Sequence, residues 1–317
     1  MLQPMLIVVL RLFGLTIAGY LLFRIPIVRR HLLSPFVFIV LNVLFPLYFI
    51  DSFTAGWHAA LNVGWIWMIV FFLACAIMLT VQTLVGHALV NRVRGFHSDQ
   101  PRHFVVLFGV QNVGYIPLPI LQVLAPPSLM VYMFFFILAY NILFWTFAIS
   151  YLSGESRAKF QFNMPIAGIV IGLLLAMSNL YHFVPHAIQV TVHYAGLASI
   201  NLILVVLGGI LATIPRADLR FRPEFGRLIL WRMLAYPALI LGILAIIPFT
   251  AIRPDLVFGL RLAIVLEAAV PPATNIMIVS RVYGTEQHVH YAGSGIIITY
   301  VASLLTLPLF MFLTTLL

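Results

Sequence analysis

The sequence predicts an all-α polytopic membrane protein, with ten transmembrane helices in two inverted five-helix repeats whose fourth and ninth helices are broken and cross at the midplane. Three observations lead there. The chain is 63% hydrophobic and 8% charged, with a mean hydropathy of +1.12, which is more apolar surface than a water-soluble domain can bury. Its apolar runs recur at the length of a membrane crossing. Two of those runs, at corresponding places in the two halves, are interrupted by prolines and side-chain amides.

A crossing needs roughly 17–25 mainly apolar residues. That rule places spans at about 5–23, 33–50, 63–85, 103–124, 129–152, 165–180, 195–214, 228–247, 256–279 and 291–316. The first lacks a basic segment before its apolar stretch and is interrupted by Arg11, so it reads as a retained span rather than a cleaved signal peptide. The second carries Asn42 and Pro46 and is closed by Asp51. The polar stretch 154–163 (GESRAKFQFN) separates a first repeat at 1–153 from a second at 164–317.

Loop charges support this division. The connectors after odd-numbered spans carry Arg24, Arg29 and Arg30; Arg92, Arg94 and Arg102; Arg157 and Lys159; Arg216, Arg220, Arg222 and Arg227; and Arg281. Those after even-numbered spans carry only Arg253. Cytoplasmic loops concentrate Lys and Arg, so both termini are expected on the non-cytoplasmic side of the cell (inner) membrane. The net charge of +9 is thereby explained by orientation, and no basic patch interleaved with aromatics points to nucleic acid. Five spans per half, an odd number, invert the second half relative to the first, the layout in which discontinuous helices meet near the midplane.

The broken stretches are Gln111-Asn112-Val113-Gly114-Tyr115-Ile116-Pro117-Leu118-Pro119 and Glu267-Ala268-Ala269-Val270-Pro271-Pro272-Ala273-Thr274-Asn275. Proline removes a backbone donor and clashes with the preceding turn, and hydrocarbon offers the freed groups no partner, so each break implies a protein-lined cavity. A half-helix restarting after each break would point free N–H groups and a partial positive charge into that cavity. Two such ends favour an anion such as a carboxylate. Gln111, Asn112, Thr274 and Asn275 supply polar side chains, Gly114 permits close approach, and Pro117, Pro119, Pro271 and Pro272 prevent a regular helix.

Glu267 is the acid well inside a predicted span. An intramembrane carboxylate is costly and serves as a protonation switch, a cation ligand, a neutral hydrogen-bonded acid, or a partner for a cation such as Arg261 or Arg11. Asn42, Asn201, Asn141, Ser294, Thr299 and Ser303 are further polar intrusions, which in membrane helices can tie neighbours together. His182/His186 and His288/His290 have spacings able to bind metal, but with no acidic or cysteine companions they read as interface histidines. Cys75, the single cysteine, lies in an apolar span and excludes disulfides and cysteine-rich metal sites. No phosphate loop, dinucleotide fingerprint, nucleophile elbow or zinc-protease motif occurs.

Four stretches carry a resemblance to a known family: SPFVFIVLNVLFPLYF in the second span, FGVQNVGYIPLP in the fourth, FNMPIAGIVIGLLL opening the sixth, and EAAVPPATNIMIVSRVYG with SLLTLPLF after it. With these the sequence resembles the auxin efflux carrier family, the PIN-like transporters, in a compact bacterial form. The resemblance implies a two-repeat fold with a scaffold domain and an elevator-like transport domain, a homodimer, and transport of organic acids. It matches Asn112, Pro117 and Pro119 to the fourth-helix crossover, and Pro271, Pro272 and Asn275 to the ninth. The short central connector departs from the long loop of plant members, so malate- or malonate-like dicarboxylates stand beside auxin-like cargo. The proline expected in the seventh helix is absent, and Asn201 lies there instead.

The expectation is therefore a secondary transporter that holds a small organic anion at Asn112 and Asn275, with Gln111, Thr274 and Asn42 beside them. Glu267 would couple transport to protons or sodium. The expected partners are the anion and membrane lipids, with no nucleic acid, and no metal or other cofactor. The alternatives are a sodium/proton-type exchanger on the same fold and a non-transporting membrane receptor. An intramembrane enzyme is disfavoured, because no acid pair or nucleophile–base pair lies within the spans.

Overall fold

The computed structural model describes residues 2–92, 100–153, 162–214, 220–249 and 254–317. Most of the predicted connector, and the loop cations Arg94, Arg157, Lys159, Arg216 and Arg253, lie outside the described residues. Among those described there is no strand, only helices and one isolated backbone bridge.

The helices are α1 (Leu2–Arg24), α2 (Pro26–Val63), α3 (Ile66–Arg92), α4 (Pro101–Gly109), α5 (Pro117–Leu124) and α6 (Pro127–Leu152). After the central connector come α7 (Met164–Ser178), α8 (His186–Ala212), α9 (Pro223–Ile246), α10 (Pro254–Ala269), α11 (Asn275–Tyr283) and α12 (Glu286–Thr314). Seven of them, α1, α2, α3, α6, α8, α9 and α12, are long and apolar enough to cross a membrane, and α7 is a shorter apolar helix. The remaining four are the halves of the two broken runs.

Local chemistry sets most helix ends. Prolines open α2, α4, α5, α6, α9 and α10, where a missing N–H costs nothing. The Asn163 side chain accepts the Ile166 N–H at 3.0 Å and caps α7, which ends at Asn179 with a left-handed φ of 58°. Thr285 and His288 form a reciprocal cap on α12. Gly64, at φ 141°, makes the turn from α2 into α3.

Asp51 does not close the second helix as expected; α2 runs on to Val63. A charged residue marks where an apolar run ends, but the backbone ladder continues wherever helix-forming residues follow. Asp51 instead accepts a 3.0 Å contact from His193 Nδ1 on α8. Val63, expected to open the third span, is accordingly the last residue of α2.

Among the described residues three helices contain wide π-helical turns, Val40–Leu44 in α2, Phe144–Ala148 in α6 and Ile229–Ala235 in α9. Two of them precede a proline, Pro46 and Pro237. Each proline has no N–H to donate and displaces the carbonyl four residues back, which a widened turn accommodates.

The helices pack in two groups. In one, α1 lies along α8 and α2 along α7, with α8 also against α2; in the other, α3 packs on α4 and α6, and α10 on α9 and α12. The groups meet chiefly where α2 lies along α6. In the first group backbones approach through glycine: a Cβ at Gly208 would strike the Thr16 carbonyl oxygen, and one at Gly19 the Val205 carbonyl oxygen. Small residues allow such contact, and in lipid, close packing and polar contacts drive helix association. Beside it the Arg11 guanidinium donates to Asn201 Oδ1, so these two intrusions into the first and seventh spans satisfy each other.

Gly208→Leu should therefore lower thermal stability in detergent by roughly 1–3 kcal/mol. Gly14→Leu, where a Cβ meets nothing within 4 Å, should leave the melting temperature unchanged. Equal effects of the two substitutions would contradict the close α1–α8 contact.

Candidate functional site at the paired helix breaks

The two breaks lie against each other. Residues 110–112 and 271–273 run antiparallel, with Gln111 opposite Pro272. The Asn112 N–H donates to the Pro271 carbonyl at 3.0 Å, and the Ala273 N–H donates to the Val110 carbonyl at 3.1 Å. Each break thus supplies backbone partners that its own helix has lost, as buried polar groups require. The prolines fit this arrangement: Pro271 and Pro272 have no N–H to strand, and Pro271 contributes only its carbonyl.

Asn112 closes the first break from within. Its Oδ1 accepts the Tyr115 N–H at 3.0 Å, and its Nδ2 donates to the Tyr300 hydroxyl on α12. The side chain replaces a missing helical acceptor and ties the break to a neighbouring helix. Both ends of this amide are therefore engaged. Pro117 and Pro119 are buried in the first turn of α5, where they remove two of its leading N–H donors.

On one side of the paired breaks is a cavity of about 220 Å³. Of the expected substrate residues it is lined by Asn42, Asn112, Thr274 and Asn275, together with Gly114 of the crossover. Gln111, Pro117, Pro119, Pro271, Pro272 and Glu267 do not line it. Only one of the two expected helix starts, that of α11 at Thr274 and Asn275, reaches the cavity. The start of α5 is buried behind Val113, Gly114 and Tyr115. No hydrogen bond among the described residues occupies the Asn275 amide. Asn42 donates to the Phe38 carbonyl at 3.1 Å and keeps its Oδ1 for the cavity. A Cβ at Gly114 would meet only Phe45 Cζ, at 4.0 Å, so this glycine leaves open space rather than permitting a backbone contact.

The remaining walls come from residues that sequence reasoning ranked low or did not single out. Asn141 on α6 accepts from the Asn163 amide at 3.1 Å, and both line the cavity with Trp145, Tyr115, Tyr140 and Phe45. Asn42 and Trp145 stand on the π-helical turns of α2 and α6. Among the described residues no Lys, Arg or His lines the cavity.

Glu267 lies elsewhere, 1% exposed, on the far side of the first break. Its Oε2 accepts from Gln111 Nε2 at 3.2 Å, so Gln111 faces Glu267 rather than the cavity. Neither of its expected cationic partners is near: Arg11 bonds Asn201, and Arg261 bonds the Leu317 carbonyl and lies over the Phe249 ring. The cation beside it is Arg232, on the π-helical turn of α9, 0% exposed, donating to the Ala268 carbonyl at 2.6 Å. The sequence did contain that signal, an arginine inside the apolar run 228–247. Among the described residues no group of three or more His, Cys, Asp or Glu could hold a metal.

The long apolar helices and the two broken runs clasped beside a cavity define a polytopic helical membrane protein. A family model described as membrane transport protein matches residues 4–164 and 156–311, and the chain belongs to that family, the auxin efflux carrier or PIN-like family. Its members are transporters, not enzymes, and this protein is a membrane transporter. No curated protein matches the chain.

Asn112→Ala leaves the Tyr115 N–H and the Tyr300 hydroxyl without their partner. It should cost roughly 1–3 kcal/mol of stability, whereas Asn275→Ala, which removes an amide with no hydrogen bond among the described residues, should leave stability unchanged. Thermal unfolding in detergent distinguishes the two.

Proposed function

We propose that the protein is a secondary transporter for a small organic anion, working by elevator-type alternating access. One observation carries the choice of cargo: the cavity beside the paired breaks offers several amides and a helix start but no cation among the described residues. A single carboxylate can be held by the Asn275 amide, the Thr274 hydroxyl and the Asn275 N–H, aided by the local positive end of α11, whose next two N–H groups are taken by the Ala273 and Thr274 carbonyls. A second carboxylate would be desolvated with no charge to pair it. Phe45, Tyr115, Tyr140 and Trp145 instead suit an apolar or aromatic body. The favoured cargo is therefore an auxin-like aromatic monocarboxylate, ahead of malate or malonate. Glu267 lies outside this cavity, so any proton or sodium coupling would act through the crossover rather than on the anion.

The wider reading follows the same lines. Counting each broken pair as one crossing and α7 as another gives ten crossings in two inverted repeats, 1–153 and 164–317 joined by 154–163, with the breaks at the midplane. The α1, α2, α7 and α8 group is the scaffold and the other group carries the breaks across the bilayer, because each group packs more within itself than against the other. The distribution of loop cations supports both termini lying outside the cell (inner) membrane, and the homodimer rests on the family resemblance.

Two experiments test this. In liposomes, counterflow should exchange an aromatic monocarboxylate such as indole-3-acetate and not malate or malonate. Asn275→Ala should weaken the apparent affinity roughly 10- to 100-fold, the loss of a hydrogen bond to a charged group, with the melting temperature unchanged. Exchange of dicarboxylates alone would refute the cavity argument, and binding without exchange would favour a receptor. For orientation, a membrane-impermeant maleimide should label Gln3→Cys in intact cells, and Phe221→Cys only after permeabilisation; the buried Cys75 leaves the background low. The reverse pattern would invert the topology.

A further inference from the structure

The cavity residues leave one part of the crossover without a role. Among the described residues Arg232 is the largest fully buried side chain. Arginine does not lose its proton in proteins, so a full positive charge is held there away from water. One of its donors, Nη1, is taken by the Ala268 carbonyl at 2.6 Å; Nε and Nη2 have no partner among the described residues. Such a charge persists in a dry interior only with a compensating one nearby. Glu267, the neighbour of Ala268, is the acid placed to supply it: Gln111 holds its Oε2, its Oε1 has no partner among the described residues, and the guanidinium is held one residue away without a direct ion pair.

The guanidinium is fixed in place by structure. It sits on the widened turn Ile229–Ala235, which Pro237 imposes, and it is bound to the helix that enters the second break one residue past Glu267. An intramembrane glutamate next to a pair of broken helices is otherwise a place for a small cation. Here a fixed positive charge is already held against the neighbouring residue, at the Ala268 carbonyl.

We propose that Arg232 is a tethered cation, which balances Glu267 in place of a mobile one and denies sodium a site at the crossover. The role is one of positioning: Arg232 touches no cargo, and it locks the α9 helix to the second break through Ala268. Removing its charge while keeping Glu267 should turn the crossover into a sodium site. This inference rests on the transporter reading only for calling the paired breaks a crossover, and its test needs no cargo.

The test is thermal unfolding of the purified protein in detergent, in sodium chloride against choline chloride at equal ionic strength. The wild-type melting temperature should be the same in both. Arg232→Gln should melt lower in choline and be raised by roughly 5 °C in saturating sodium, a response lost again in Arg232→Gln/Glu267→Gln. Arg232→Lys, which keeps the charge, should show no sodium response. Should Arg232→Gln alone be too unstable to purify, recovery of folded protein in the double variant supports the charge balance, and a double variant as poor as the single overturns it. Sodium stabilisation of the wild type that disappears in Glu267→Gln overturns the proposal, as does a folded Arg232→Gln with no sodium response. Neither result bears on whether indole-3-acetate exchanges in liposomes, so this inference and the cargo assignment fail separately.

Discussion

The structure depends on two short extended segments finding each other inside a helical protein. A helix interrupted by proline strands carbonyls and N–H groups, and in an apolar surrounding each stranded group costs several kcal/mol. Val110, Asn112, Pro271 and Ala273 satisfy one another across the breaks. Neither break could be buried alone. Their mutual pairing fixes where α4, α5, α10 and α11 end, which side of the pairing holds the cavity, and which holds Glu267. The division into a cavity side and a charge side follows directly, because the alternating side chains of an extended segment point in opposite directions: Asn112 faces the cavity and Gln111 faces Glu267.

A second constraint comes from the wide turns. A π-helical turn shifts the register of a helix by part of a turn and re-aims the side chains it carries. Asn42 and Trp145 stand on two such turns and line the cavity; Arg232 stands on the third and faces the other way, to Ala268. In α2 and α9 the cause is a proline just beyond, Pro46 or Pro237. Proline therefore acts twice in this chain, once to break helices where backbones must pair and once to widen them where side chains must turn inward.

The breaks were legible in the sequence because proline chemistry is local. A run such as VPPATN cannot continue a helix in any context, and amides beside it mark a polar surrounding. Burial of Glu267 was legible for the same reason. What each side chain bonds was not, since that depends on helices far away in the chain. Asn112 looked like a free ligand and is engaged by Tyr115 and Tyr300; Gln111 looked like its companion and belongs to Glu267. Arg11, unexplained alone, is answered by Asn201 on α8. Asp51 looked like a helix end because charge marks the edge of an apolar run, whereas the helix ends at Gly64, where φ turns positive. Arg232 was open to the same argument as Glu267, but its placement beside that acid is set by the register of α9 on α10, which no periodicity encodes.

Gly114 separates two properties that binding sites usually fuse. Its missing side chain faces Phe45 across open space, while the donors for an anion sit on the other break, at Thr274 and Asn275. The volume available to a cargo and the grip on its charged group are thus set by different segments of the chain. A lineage could narrow or reshape the chamber by single substitutions at residue 114, leaving the clasp between the breaks and the anchoring amide untouched. Divergence in what is carried then needs no redesign of how it is held.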